Sequence, residues 1–254
     1  MAESRSALQD RSFGATFRRD SWWVELLPVM AVLGAFGLYA TWRAFEDGYY
    51  EVGPYLSPLY SPLIDPHHTW LPRWISPAFL ILGGPAGFRA TCYYYRKAYY
   101  RAFFLSPPSC GVTGPGAGKY SGERKFPFVL QNLHRYFLYL ALVFIVILWY
   151  DALKAFWFDG SFGIGVGSLV MLANVILLSG YTFSCHSLRH LVGGKLDCFS
   201  CEVAGGPRYK AWKGVSFLNE RHMLFAWLSL FSVALCDLYV TLVARGTITD
   251  FRIL

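Results

Sequence analysis

Charge is what this chain lacks. Of its 254 residues only 15% are charged, 16 acidic against 23 basic, where an ordinary soluble domain carries about 25%. Hydrophobic residues make up 55% and aromatics 19%. A length prior of roughly 150 residues per domain gives one large or two small domains, and a soluble fold of that size has too little interior for so much apolar surface. The scarcity excludes a disordered tail, and six cysteines in such a composition are not a secreted disulfide scaffold. The basic residues fall in blocks rather than on one face, so the net charge of +7 is no nucleic-acid footprint. A cleavable signal is also missing. MAESRSALQDRSFGATFRRD leads at Asp20 and Ser21 into a long apolar run with no short apolar core or small-x-small cleavage site. Residues 1–21 therefore read as a cytoplasmic arm.

Long apolar runs are what the chain has. A crossing takes about 20 mostly apolar residues, and five segments qualify, at about 22–44, 74–95, 129–151, 161–188 and 217–244. The predicted fold is all-α, an integral membrane bundle of five transmembrane helices over residues 22–245, with 246–254 as an outer tail. Trp22, Trp23 and Trp42 mark both ends of the first segment as an aromatic belt would. The second holds only fifteen residues before Arg89, which must snorkel. With the N-terminus cytoplasmic, Arg43, Arg73, Lys154, Arg245 and Arg252 lie outside, Arg135 falls within the third span, and the other 17 of 23 basic residues lie inside. That asymmetry obeys the positive-inside rule.

Familiar catalytic patterns are absent. GVTGPGAGKYSGERK resembles a phosphate loop but has Thr113 where glycine is needed and Tyr120 after the lysine, so it reads as a linker. His67 and His68 are neighbours in a proline-rich loop with diverging side chains, a solvated pair. No triad or hydrolytic carboxylate pair stands out. A transporter would distribute polar residues over several spans, whereas residues 161–185 of the fourth carry no charged residue, and no internal repeat is evident.

Metal-ligating residues are concentrated in YTFSCHSLRHLVGGKLDCFSC. His186 and His190, four apart, share one helical face. Gly193 and Gly194 end the helix, and Cys198 and Cys201 form a C-x-x-C pair. Cytoplasmic placement favours thiolate ligands over a disulfide there, so His186, His190, Cys198 and Cys201 are the expected metal ligands, with Cys185, His134 and His222 in reserve. Three groups fit this chemistry. Zinc takes Cys2His2 and would make a clip on a non-catalytic scaffold. Haem b needs two facing histidines, His134 with His190 or His186 with His222. A Rieske-type [2Fe–2S] cluster needs two of each residue.

The five-span anchor with a basic cytoplasmic face and the run SGYTFSCHSLRHLVGGKLDCFSC resemble the membrane-anchor, cytochrome b-like subunit of succinate dehydrogenase in the single-chain form of actinobacteria such as mycobacteria. The resemblance implies a multi-pass protein of the bacterial inner (plasma) membrane, partnered by a flavoprotein and an iron–sulphur subunit. In such an enzyme succinate is oxidised on the cytoplasmic face and electrons pass through the anchor to a quinone, menaquinone in this branch. It also leaves room for a higher oligomer of the complex. Many such anchors hold two b haems, but the outer side here offers only His67 and His68, so the resemblance is to anchors with a Rieske-type [2Fe–2S] cluster.

A quinone headgroup needs hydrogen-bond donors in an apolar slot. Tyr181, Ser184, Arg189 and Arg135 are the expected quinone-binding residues, with Tyr181 and Arg189 on one helical stripe. Asp237, ionisable in mid-span, is the expected catalytic, proton-carrying residue. It lies about 22 Å beyond His222 at 1.5 Å per residue.

Overall fold

The computed structural model describes residues 12–64, 76–115, 124, 126, 128–194 and 196–254. His67 and His68 and much of the glycine-rich linker lie outside them. Eight α-helices, two 3-10 turns and two short hairpins account for the regular structure among the described residues. Among the described residues four helices are long and apolar enough to cross a membrane: α1 (Leu26–Glu46), α4 (His134–Lys154, entered through a 3-10 turn at Phe128–Leu133), α5 (Val166–Phe183) and α8 (His222–Ala244). At 1.5 Å per residue their 18 to 23 residues span roughly 27–35 Å, the thickness of a hydrocarbon core. Large apolar side chains such as Val143 and Val146 of α4 and Leu235 of α8 stay exposed, an arrangement that water penalises and lipid does not.

The remaining segments differ from a simple five-rod bundle. The second expected span becomes α2 (Ala78–Thr91, with Pro85 inside) and α3 (Tyr93–Ala102), separated by Cys92 at ψ 130°. The fourth is shorter than expected. Residues 161–165 belong to a hairpin and its exit, and Ser184 and Cys185 separate α5 from α6 (His186–Gly193). The fifth begins at His222, because Phe217 and its neighbours complete α7 (Gly205–Asn219).

The chain divides into two compact units, Met1–Leu38 with Arg89–Leu133 and Tyr39–Phe88 with His134–Leu254. In the first, the arm pairs with the loop after α3. Gly14 N–H donates to the Thr113 carbonyl at 2.9 Å and Thr113 N–H to that of Ala15 at 3.0 Å. Arg18 also donates to the Ser109 hydroxyl at 2.6 Å. Arg89 does not extend into solvent alone, since its guanidinium donates to the Tyr95 hydroxyl at 2.5 Å.

The second unit is built around α4, α5 and α8. Its core includes Ala152, Phe158, Met171, Val175, Cys236 and Val240. Polar groups pair between helices, as they must where hydrocarbon offers no partner. Ser232 donates to Asn174 at 2.8 Å and the Trp149 indole to Ser179 at 3.0 Å. Helix α2 lies on α4 through glycines: a Cβ at Gly87 would stand 2.2 Å from the Phe137 ring, and one at Gly84 2.9 Å from Phe144. β1 (Glu51–Val52) and β2 (Tyr55–Leu56) form one hairpin, and β3 (Trp157–Phe158) and β4 (Ser161–Phe162) the other. The latter turns on Asp159 and Gly160, both at positive φ, 50° and 87°, as a type I′ turn demands. The C-terminal residues pair with the start of α5, Val166 N–H donating to the Phe251 carbonyl at 3.0 Å. Asp250 caps that helix by accepting from Gly167 N–H at 3.0 Å, Tyr239 at 2.6 Å and Tyr55 at 2.7 Å. A carboxylate is favoured at a helix N-terminus.

Candidate redox site

Helices α4 and α8 begin, and α5 ends, at the same end of the second unit, and their terminal residues meet there. Cys185, held in an extended conformation as N-cap of α6 (φ −65°, ψ 135°), turns its thiol inward and is 1% exposed. His134, the first residue of α4, brings Nε2 to 3.1 Å from the Cys185 sulphur. Its ring stacks on Phe88 at 4.8 Å and 5°. Phe88 meets Tyr181 edge-on at 5.3 Å, and Tyr181 stacks on His222 at 5.1 Å.

A hydrogen-bond chain runs from the Tyr181 carbonyl through Ser184 to His222. The Ser184 hydroxyl lies 3.0 Å from the Tyr181 carbonyl and 2.7 Å from His222 Nδ1. A hydroxyl has one proton. With that proton on the carbonyl, the oxygen accepts from Nδ1–H, and Nε2 becomes the nitrogen with the lone pair, the form that ligates metals. Asn219 donates to the Ser184 carbonyl at 2.7 Å and anchors the bend.

The residues favoured by local spacing form a second group on α6 and the loop behind it. His186 and His190 place their Nε2 atoms 3.1 Å apart, both side chains exposed. Desolvation, then the neighbouring His190 and Arg189, push His186 below the usual histidine range. Gly194 ends α6 in the left-handed region at φ 67°, its N–H donating to the carbonyls of His190 and Leu191. A pocket of about 450 Å3 follows, lined by Arg189, His190, Gly193, Leu196, Asp197, Phe199 and Trp212. Cys198 and Cys201 are joined in a disulfide in place of the expected thiolate pair, their Cα atoms 5.5 Å apart across one 3-10 turn. That spacing lies within bridging reach. Among the described residues no three His, Cys, Asp or Glu side chains converge tightly enough to hold a metal ion. The expected set of His186, His190, Cys198 and Cys201 is thus seen as two pairs. Nε2 of His134 meets the Cys185 thiol and Nε2 of His186 meets His190, whereas the expected haem pairs were His134 with His190 and His186 with His222.

The other expected residues separate. Tyr181 and Ser184 are buried within the His134 group. Arg189 does not share a helical stripe with Tyr181, because the bend at Ser184 and Cys185 intervenes. Its Nε instead donates to Ser216 at 2.9 Å, with the guanidinium 4.6 Å over Trp212. Arg135 is exposed one residue past His134. Asp237 is fully buried and fully engaged. Arg43 Nε and the Tyr39 hydroxyl donate to Oδ2 at 2.8 and 2.5 Å, and the Ser57 hydroxyl to Oδ1 at 2.5 Å. Arg43 also pairs with Glu46, and Glu46 with Arg245. Sequence reading missed Phe88, Asn219 and Arg43. A lone arginine at the end of one span and a lone aspartate inside another was the available signal for the last.

Residues 24–246 match the family described as actinobacterial succinate dehydrogenase subunit SdhC. The chain is 46% identical to a chain of the solved Mycobacterium smegmatis Sdh1 complex in the apo form, covering 94% of each with a TM-score of 0.83. No curated protein matches. The chain therefore belongs to the actinobacterial SdhC family and is a membrane subunit of succinate dehydrogenase.

Proposed function

We propose that this chain is the quinone-facing anchor of a succinate:quinone oxidoreductase in a bacterial plasma membrane. It receives electrons from a flavoprotein and an iron–sulphur subunit on the cytoplasmic side and delivers them to menaquinone. Its N-terminus faces the cytoplasm, in keeping with the charge asymmetry, and α2 is a short fifth crossing. Supporting that crossing, Phe79 at the start of α2 packs on Phe45 near the end of α1, while Phe88 near its other end packs on His134 at the start of α4.

The observation that carries the redox role is the 3.1 Å approach of His134 Nε2 to the buried Cys185 thiol, with His222 presented by Ser184. We therefore place the redox centre on His134, Cys185 and His222 rather than on the exposed pairs of α6 and its loop. Two imidazoles and a thiolate are the ligand types of a Rieske-type [2Fe–2S] cluster; His134, Cys185 and His222 would hold it with one further cysteine of the chain by drawing closer than they stand here. Such a cluster supplies one-electron transfer at roughly −150 to +300 mV. Around it, Cys185 is buried and His134 half-buried, and the stacked rings of Phe88 and Tyr181 fix the imidazole planes. Tyr181 and Ser184 are the donors placed to hold a quinone headgroup, with Arg189 and Arg135 outside that group. Asp237, paired with Arg43, serves to hold α1 to α8.

The test is electron paramagnetic resonance with metal analysis on the assembled complex. Cys185→Ser and His134→Gln are expected to abolish the anchor's iron signal and quinone reduction while succinate oxidation with an artificial acceptor continues. A full signal in both variants would overturn the placement.

A further inference from the structure

Helix α5 ends at Phe183 and α8 begins at His222, so the chain between these two membrane helices leaves and re-enters the bundle at one end. Arg189 stands six residues past α5 and Trp212 ten before α8. Helices α6 and α7 therefore lie where hydrocarbon gives way to water, the depth at which tryptophan and tyrosine gather. The pocket of about 450 Å3 between them falls in the size range of small-molecule sites. We propose that it binds the headgroup of a zwitterionic phospholipid with a primary ammonium, of the phosphatidylethanolamine type, its phosphate on Arg189 and its ammonium on Asp197.

Two side chains of opposite charge, Arg189 and Asp197, line the pocket. Among the described residues they form no salt bridge with each other or with a third residue. The arginine is fixed in place. Its Nε donates to the Ser216 hydroxyl at 2.9 Å, that hydroxyl donates to the Trp212 carbonyl at 2.7 Å, and the guanidinium lies 4.6 Å over the Trp212 ring. Its terminal nitrogens keep their donors, in the planar fork that matches a phosphate. Asp197 is exposed and offers acceptors only.

A fixed cation and a separate anion in one pocket select for a ligand that carries both. A purely anionic headgroup would meet repulsion from Asp197, and a trimethylammonium has no N–H to donate to it. Leu196, Phe199 and Trp212 supply apolar wall, the last two rings 6.1 Å apart, against which a glycerol backbone and the first methylenes can lie. Phe183 at the end of α5, Leu191 of α6 and Phe217 of α7 stay exposed, apolar surface that acyl chains cover without cost. The seated lipid would tie α6 to the loop that enters α7. That the leaflet is the cytoplasmic one rests on the orientation proposed above; the headgroup preference does not.

The test places the assembled complex in nanodiscs of equal parts phosphatidylethanolamine, phosphatidylglycerol and phosphatidylcholine with identical acyl chains, releases it into mild detergent and counts retained lipids by native mass spectrometry. The ethanolamine lipid is expected to be retained about tenfold over the other two, the worth of one charge-assisted hydrogen bond. Asp197→Asn should level the three headgroups and leave the iron resonance unchanged, and Arg189→Gln should lower retention of all three. Free phosphoethanolamine at matched concentration should not displace the lipid; displacement would make the ligand a soluble one and overturn the lipid assignment. Retention blind to the headgroup, or an ethanolamine preference that survives Asp197→Asn, would overturn the site. So would electron cryomicroscopy density for a partner subunit's segment, or for quinone, in the pocket.

Discussion

His134 and Cys185 stand 51 residues apart in the chain and 3.1 Å apart in space, the first residue of one membrane helix against the bend that ends another. Their approach depends on Ser184, whose carbonyl and hydroxyl hold Asn219 and His222. Ser184→Ala should free His222 to change tautomer while leaving the ligands in place. The expected result is a 10- to 100-fold loss of metal affinity or quinone reductase activity, the usual cost of removing an orienting partner. Iron content and turnover of the assembled variant measure it.

Asp237→Asn removes the buried charge that Arg43 Nε faces and leaves the guanidinium only its half-buried partner Glu46. Breaking a buried pair in this way costs about 3–5 kcal/mol. The yield of assembled complex and its thermal midpoint should fall, whereas quinone reduction per assembled complex, and its pH profile, should not change. A double replacement, Arg43→Met with Asp237→Leu, should recover much of the stability. A selective loss of turnover in Asp237→Asn would restore the proton-carrying role.

Two glycines on α2 make a matched pair. A Cβ at Gly87 collides with Phe137, while one at Gly83 meets nothing within 4 Å. Gly87→Ala should destabilise the anchor by about 1–3 kcal/mol through overpacking. Gly83→Ala should stabilise it by up to about 1 kcal/mol through helix propensity. Thermal unfolding of the two variants side by side checks both signs.

Tyr55 gives an alkaline dependence. Burial and its hydrogen bond to the Asp250 carboxylate raise its pKa from 10.0 to about 12. The folded state therefore holds a proton that the unfolded state releases first, and the associated stability is present below pH 10 and lost as pH rises toward 12. Tyr55→Phe should flatten that part of the profile in thermal unfolding between pH 9 and 11.

Much of this was legible in the sequence because lipid imposes one local rule: the runs around 129–151, 161–188 and 217–244 had to be helices wherever they packed. The bend at Ser184 and Cys185 was not, since CHSLRH reads as a continuation of the helix before it. Asp159 and Gly160 between aromatics, in the gap between two expected spans, carried a legible hairpin signal. Among the metal candidates, local spacing drew attention to His186, His190, Cys198 and Cys201 because they are contiguous. His134 and Cys185 are joined only by packing, which no spacing reveals, and they stood as second choices. Likewise Asp237 read as an isolated charge, because Arg43 is 194 residues away.

The Arg43–Asp237 pair also bears on how the chain enters a bilayer. A lone arginine or aspartate near the centre of a helix costs about 2.5–3.5 kcal/mol to insert, less toward its ends. Helix α1 leaves the ribosome with Arg43, long before α8 supplies Asp237. Until then the first helix is held less firmly than its apolar residues suggest, and the last to arrive relieves it. Insertion of α1 should therefore depend on the arrival of α8, and a chain stopped short of α8 should leave α1 exposed to membrane quality control.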